Sequence, residues 1–283
     1  MNNAIVNFTT PETSTNSTTH SLGLMDILEI SVYSINLFFS FPMHCYIIWF
    51  ITGTRRRVAT DFFNLNLSVC EIGICLNSLV FVLATCFSSL EILRTLDRFL
   101  LGLTFTARPL FQCLMCVERY LAVVHPVTFL KYKPLRYRVI CCTVAWIINL
   151  GSCLVCMHNL VLKKSYAHVW FLTVQFTLII SIQLFCLVAV LRALKQSGPG
   201  ERVKEREEKN PIKRRALYLI LITTVTMIIL YFPFAITGLS VLFTADSSPT
   251  VWFTGLTCFI LAGFVQPLLY LQRAGKLSCL CSA

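Results

Sequence analysis

The residues of this 283-residue chain with the clearest chemical potential are ionised side chains in or beside apolar segments. Glu118 and Arg119, followed by Tyr120, end one such segment, while Arg108 and Glu71 lie inside two others. Charged groups are costly in hydrocarbon, so they indicate pairing, passage of an ion or substrate, or a conformational switch. The sequence contains no HExxH, GxSxG or phosphate-binding loop. We therefore expect neither an enzyme nor a protein that binds a cofactor or metal.

The composition places these charges in a membrane protein. The chain is 56% hydrophobic and only 13% charged, with a mean hydropathy of +0.73, which is far more apolar than a soluble domain. Runs of about 20 apolar residues can cross a hydrocarbon layer of roughly 30 Å. We find seven: 25–52, 64–87, 99–117, 138–162, 169–191, 216–243 and 251–271. The sequence thus predicts an all-α membrane protein, a seven-transmembrane helix bundle at 25–272 between tails 1–24 and 273–283.

Basic residues predict the orientation of the bundle, because loops rich in Lys and Arg stay in the cytoplasm. They follow spans 1, 3, 5 and 7, and the opposite side holds only Arg94, Arg98, Lys163 and Lys164. We expect the N-terminus outside and the C-terminus inside, in the plasma membrane. The net charge of +11 is then explained by topology and by attraction to anionic inner-leaflet lipid, so no nucleic-acid partner is expected.

Both tails carry candidate modification sites. Asn7 and Asn16 begin glycosylation sequons in the outer tail. Cys279 and Cys281 lie near basic residues in the inner tail, where they are either palmitoylated or free thiols. A short amphipathic helix could follow span 7. Most of the 14 cysteines lie within the spans and are interpreted as small apolar side chains.

Several motifs, in order and on consistent sides of the membrane, resemble those of the rhodopsin-like (class A) G-protein-coupled receptors. The strongest similarity is Glu118-Arg119-Tyr120 with Pro126-Val127 after it, which resembles the acid-Arg-aromatic motif and the second intracellular loop. Other matching residues are Asn66-Leu67 and Glu71 in span 2, Trp146 in span 4, Tyr231-Phe232-Pro233 in span 6, and Gln266-Pro267-Leu268-Leu269-Tyr270 in span 7.

The resemblance implies a receptor that passes an extracellular signal to the α subunit of a heterotrimeric G protein by opening a cytoplasmic cleft. Glu118 is expected to neutralise Arg119 while the bundle is closed; alternatively, Arg119 only anchors its helix at the membrane edge. The implied coupling and switch residues are Glu118, Arg119, Tyr120, Pro126, Val127, Tyr231, Pro233, Pro267 and Tyr270. A non-coupling receptor-like protein is an alternative, as is a seven-span transporter or channel, although spans 4 to 7 offer few polar residues for a permeation path.

The polar core departs from the family. Members usually have Asn in span 1, Asp in span 2 and Asn before the span 7 proline, a cluster that binds sodium. This chain has His44, Glu71 and Gln266 instead. Three further departures weaken the similarity: Leu187 stands near a usual Tyr, Lys213 near a usual acid, and the loop at 163–168 has no Cys for the usual outer disulfide. A bridge between Cys86 and Cys156 would require both to reach the outer surface.

Arg108 suggests how the sodium site is altered. It lies eleven residues before Arg119, and Glu71 lies ten residues after Asp61, so both charges are roughly 15 Å from the cytoplasmic side. Opposite charges at one depth are expected to pair. We predict an Arg108–Glu71 ion pair with the guanidinium in place of sodium; the alternative is an unpaired Arg108 facing a water-filled cavity.

The outer mouth is predicted to be basic. Arg94, Arg98, Lys163 and Lys164 could recruit an anionic ligand, such as a carboxylate, a phosphate or an acidic peptide. The alternative is that they are solvated loop charges, partly offset by Glu91 and Asp97.

Overall fold

The computed structural model describes residues 23–53, 61–87, 90–132, 135–196, 231–243 and 249–273, together with residues 221, 225 and 229. Every regular element in these ranges is a helix. The helices are α1 (Leu24–Thr52), α2 (Phe62–Cys86), α3 (Glu91–Val124), α4 (Pro126–Tyr132), α5 (Leu135–Val161), α6 (Ser165–Gln196), α7 (Tyr231–Phe243) and α8 (Pro249–Arg273).

The helices confirm the predicted fold class. Six are long and apolar enough to cross a membrane: α1, α2, α3, α5, α6 and α8. The seventh predicted span, 216–243, is described mainly through α7, a shorter apolar helix. Together they are consistent with a seven-helix bundle.

The central helix, α3, extends beyond its predicted span of 99–117 at both ends. Hydropathy marks the hydrocarbon layer, whereas helical hydrogen bonding continues past it. Glu91 in the first turn suits the helix dipole and pairs with Arg94 one turn later, at 3.0 Å. Arg94 and Arg98 therefore lie on a helix, not in a loop. We name the two ends of the bundle the Arg94 end and the Arg119 end, after these positions on α3.

The connection between α5 and α6 is also shorter than predicted. The loop expected at 163–168 is confined to 162–164, because α6 begins at Ser165. Lys163 has a φ of 53°, and the Lys164 N–H donates to the Asn159 carbonyl over 2.8 Å, which closes the turn.

Two large apolar clusters fix the helices around α3. Towards the Arg94 end, aromatic side chains from four helices pack together: Phe105 of α3, Phe176 of α6, Tyr231 and Phe234 of α7, and Phe259 of α8. Towards the Arg119 end, the second cluster joins α2, α3 and α5 through Phe63, Leu67, Cys70, Ala107, Phe111, Met115, Cys142 and Ala145. The core is therefore filled by side chains of α3 and its neighbours.

Gly102 sets the distance between α3 and α5. A Cβ added there would lie 2.4 Å from Cys153 Cα and 2.9 Å from the Ser152 carbonyl oxygen. One turn further along α3, the hydroxyls of Thr106 and Ser152 are hydrogen-bonded at 2.5 Å. Close backbone approach at a small residue and polar contact across it are typical of packed membrane helices.

Several predictions concern residues outside the described ranges: glycosylation at Asn7 and Asn16, the role of Lys213, the helix after span 7, and modification of Cys279 and Cys281. All cysteines within the described ranges are free thiols. Cys86 and Cys156 are among them, and Cys156 is buried in the apolar cluster towards the Arg94 end, so they form no bridge.

Candidate functional site

Arg108 and Glu71 form a buried ion pair between α3 and α2. Arg108 Nε donates to Glu71 Oε1 over 2.5 Å, and Nη2 donates to Oε2 over 2.7 Å. The two residues are 0% and 1% exposed. The fork-to-fork geometry is the strongest form of charge-assisted hydrogen bonding available to these groups. The pair that the depth argument predicts is present, so Arg108 is not an unpaired cation.

The ion pair has a third partner on α8. Arg108 Nη1 donates to the Phe259 carbonyl over 2.5 Å, and the guanidinium lies 4.9 Å from the centroid of the Phe259 ring. The sequence did not identify Phe259, because every residue has a backbone carbonyl and the residue type does not show which carbonyl accepts a bond. Three helices are therefore joined at one buried cation.

His44 lies near this pair without hydrogen-bonding to it, whereas Gln266 makes its contacts elsewhere on α2 and α3. The His44 ring is buried beside Gly263, and neither of its nitrogens makes a well-aligned hydrogen bond with a described residue. Gln266 Nε2 donates to Asn64 Oδ1 over 3.0 Å and contacts the Met115 sulfur at 3.6 Å. Of the four predicted core residues, only Arg108 and Glu71 bond to each other, and the contacts of Gln266 lie seven residues away from each of them, nearer the Arg119 end.

At the Arg119 end, Glu118 forms an ion pair with Arg138 of α5. The sequence alone does not single out Arg138, and the expected neutralisation of Arg119 by Glu118 stays a prediction. Consecutive helical residues point about 100° apart, which turns Glu118 towards α5. Both side chains of the pair are largely buried, at 24% and 12% exposed.

The remaining motif residues at this end contact neighbouring helices or form exposed surface. The Tyr120 hydroxyl and His125 Nε2 are 3.1 Å apart, just before Pro126 begins α4. Val127 is 81% exposed. The Tyr270 hydroxyl donates to Asp61 Oδ2 over 3.3 Å, which ties α8 to the start of α2.

The proline motifs lie in two different environments. Tyr231 is buried and donates to Gln112 Oε1 of α3 over 2.8 Å, while Phe232 faces outward and Pro233 is half-buried. Pro267 is buried inside α8. Trp146 Nε1 donates to Asn66 Oδ1 over 3.0 Å, so the residues of spans 2 and 4 that resemble those of the receptor family are hydrogen-bonded to each other.

The basic residues of the Arg94 end do not form one patch. Arg94 pairs with Glu91, and Arg98 is partly buried near Asp97. Lys163 and Lys164 are exposed in the turn between α5 and α6. Among the described residues of this end, exposed positive charge is therefore concentrated at the two lysines, since acidic neighbours offset the arginines.

Comparison with known proteins agrees with this arrangement. Residues 44–270 match the family described as "7 transmembrane receptor (rhodopsin family)". The chain is 29% identical over 146 residues to the "G-protein coupled receptor homolog Q2/3L" of sheeppox virus strain KS-1, covering 45% of this chain and 35% of that protein. It is 24% identical over 232 residues to the human "Uracil nucleotide/cysteinyl leukotriene receptor", covering 75% of this chain and 61% of the relative.

The matched regions span about a third and three fifths of the lengths of these relatives. The family match itself covers most of the chain and includes the ion pair, the motif at Arg119 and the proline of α8. Proteins of this family are receptors in membranes, crossing them several times, and they are not enzymes. The chain belongs to the rhodopsin family of seven-transmembrane receptors.

Proposed function

We propose that this receptor couples an extracellular ligand to the α subunit of a heterotrimeric G protein, with the Arg119 end in the cytoplasm. The observation that carries the proposal is the Glu118-Arg119-Tyr120 motif at the end of α3, where Glu118 is held by Arg138. An acid already engaged by a second arginine neutralises its neighbour less completely. The motif therefore places a half-buried cation, Arg119, at the end of α3, where a partner that enters between the helices meets it.

The surface around this motif suits an amphipathic partner helix. Val127 presents an exposed apolar side chain on α4, close along the chain to the charged motif. An amphipathic helix that docks in a groove buries its apolar side chains, so an apolar contact beside a cation suits it. Opening of the groove is a population shift between two bundle states, driven by whichever ligand binds the open state better.

The ligand that we propose is an anion recognised at the extracellular side. Lys163 and Lys164 supply exposed positive charge in a tight turn, which reduces the entropy lost when they bind. One relative is named for uracil nucleotides and cysteinyl leukotrienes, and both classes of compound carry negative charge. Phosphate or carboxylate recognition by these lysines is therefore the favoured ligand chemistry.

The test of coupling is G-protein activation without ligand in cells that express wild type and Arg119→Ala at equal surface density. We expect measurable basal activation in wild type and a loss of roughly tenfold or more in the variant, because the cation that contacts the G protein is removed. Arg136→Ala is the matched control, since Arg136 is an exposed cation at the start of α5. Equal loss in both variants would indicate a general charge effect and would contradict the assigned role of Arg119.

A non-coupling receptor-like protein is the second candidate. Leu187, near the position of a usual Tyr, is half-buried on α6 and has no hydroxyl to offer a moving helix. Complete silence of wild type with every class of α subunit, with and without anionic ligands, would favour this alternative.

Sodium is expected to have no effect on this receptor. The Arg108 guanidinium already neutralises Glu71, so a sodium ion would gain little and would meet a like charge. Replacing sodium by N-methyl-D-glucamine at constant ionic strength should leave the Tm of the purified protein unchanged within about 1 °C, a shift worth only a few tenths of a kcal/mol.

Arg108→Ala provides the contrast for the sodium experiment. Removing the guanidinium leaves the Glu71 carboxylate without its cation, so sodium should raise the Tm of this variant. A sodium-dependent Tm in wild type would show that the ion pair does not replace the ion.

A further inference from the structure

The weakest stretch of α8 lies next to the buried ion pair. Gly263 and Pro267 are one turn apart, and they are the two residue types that least support a helix interior. In a regular helix, residue 267 would donate its N–H to the Gly263 carbonyl, but proline has none. Between Phe259 and Pro267 the helix is therefore held together less firmly than elsewhere.

Arg108 occupies the space beside this stretch. A Cβ added at Gly263 would lie 2.6 Å from Arg108 Nη2, 3.1 Å from Cζ and 3.3 Å from Glu71 Oε2. Any side chain at 263 would clash with the guanidinium, and relief of the clash would strain the two hydrogen bonds that fix this fork to Glu71. Glycine is required at this position by the ion pair itself.

The same guanidinium fastens the turn before the weak stretch. Its Nη1 donates to the Phe259 carbonyl, which is also the acceptor that a regular helix assigns to the Gly263 N–H. Its charge is balanced by Glu71 on α2, so α8 is tied to both α2 and α3 through one group. Beyond Pro267, α8 is tied to α2 by the Tyr270–Asp61 hydrogen bond, which is longer and includes one uncharged group.

We propose that Arg108 and Gly263 are positioning residues that set the bend of α8 and so bias the receptor between its two states. While the Arg108–Phe259 bond is intact, the turn of α8 at Phe259 is held to α3. When it breaks, the helix bends at Gly263–Pro267 and the segment around Tyr270 moves. The link to signalling rests on the proposed coupling function, whereas the control of the bend does not.

The test uses the full-length chain in nanodiscs, with trifluoromethylphenylalanine incorporated at Leu268, an exposed position just past Pro267. Its ¹⁹F spectrum reports the populations of the α8 conformations. We expect Gly263→Ala to raise the ratio of the minor to the major resonance by roughly fivefold or more, at the lower end of common allosteric couplings. Basal G-protein activation should rise in parallel.

The same Gly263→Ala substitution in a variant without the ion pair shows whether its effect on the ¹⁹F ratio acts through the guanidinium. Glu71→Gln combined with Arg108→Met removes both charges, so no unpaired charge is left to prevent folding. A flexible methionine can accommodate the new methyl group, and Gly263→Ala should then change the ¹⁹F ratio by less than about twofold. An equal effect of Gly263→Ala in both backgrounds would overturn the proposal.

Two glycines serve as controls. Gly255 lies on the same helix, where an added Cβ would meet Thr237 and Phe234 rather than Arg108. Gly255→Ala should therefore have the same effect with or without the ion pair. Gly151→Ala, where an added Cβ has no neighbour within 4 Å, should leave the spectrum unchanged. If every variant is silent in the G-protein assay but the ¹⁹F ratios couple as expected, the coupling function fails and the control of the bend stands.

Discussion

Neutralising Glu71 or Arg108 alone will destabilise the protein far more than neutralising both. Glu71→Gln leaves a buried guanidinium without a counter-ion, and Arg108→Met leaves a buried carboxylate. Breaking a buried pair in this way costs about 3–5 kcal/mol, whereas an uncharged pair of similar volume is often tolerated. We expect each single variant to lose most of its surface expression and the double variant to recover most of it.

Thermal unfolding of the purified variants provides the quantitative form of this experiment. The coupling energy of the double-mutant cycle should favour the double variant by about 2 kcal/mol or more, since each charge is costly only without the other. A matched cycle on the exposed pair Glu91 and Arg94 should give less than about 1 kcal/mol. Additive losses at Glu71 and Arg108 would mean that the two residues do not stabilise each other.

Gly102→Leu is expected to destabilise the bundle strongly. A leucine at this position would place its Cβ within 3 Å of the α5 backbone, and backbone atoms cannot rotate out of the way as a side chain can. Separating α3 from α5 would also break the Thr106–Ser152 hydrogen bond and open the apolar cluster beneath it. The total loss should be about 3 kcal/mol or more, the upper range for overpacking.

Surface expression and thermal stability check this result. Gly151→Leu on α5 is the control, because the same side chain enters open space there. Gly102→Ala should lie between wild type and Gly102→Leu. Normal expression of Gly102→Leu would show that α3 and α5 do not approach each other as closely as described.

The fold and the main ion pair could be predicted because both depend on simple periodic quantities. Apolar length gives the number of spans, and the rise per residue places Arg108 and Glu71 at one depth without any knowledge of the packing. The pairing then follows from the cost of a lone charge in hydrocarbon.

Other features depend on geometry that no residue type reports. The Phe259 carbonyl is a backbone group, so its bond to Arg108 has no sequence signature. In the sequence Arg138 is one of many positive charges, and only its direction from α5 makes it the partner of Glu118. The extra turns of α3 were missed because hydropathy reports the surrounding solvent rather than the continuity of a helix.

The free thiols have a consequence for how the receptor can be made. No disulfide joins the described helices, so their mutual arrangement depends on packing, hydrogen bonds and ion pairs such as Arg108–Glu71. These interactions form without an oxidant or an isomerase. Synthesis in a reducing cell-free system supplied with lipid should therefore give bundles with the same ¹⁹F spectrum as those from an oxidising secretory pathway, and mild reductants can be kept in every buffer to protect the thiols.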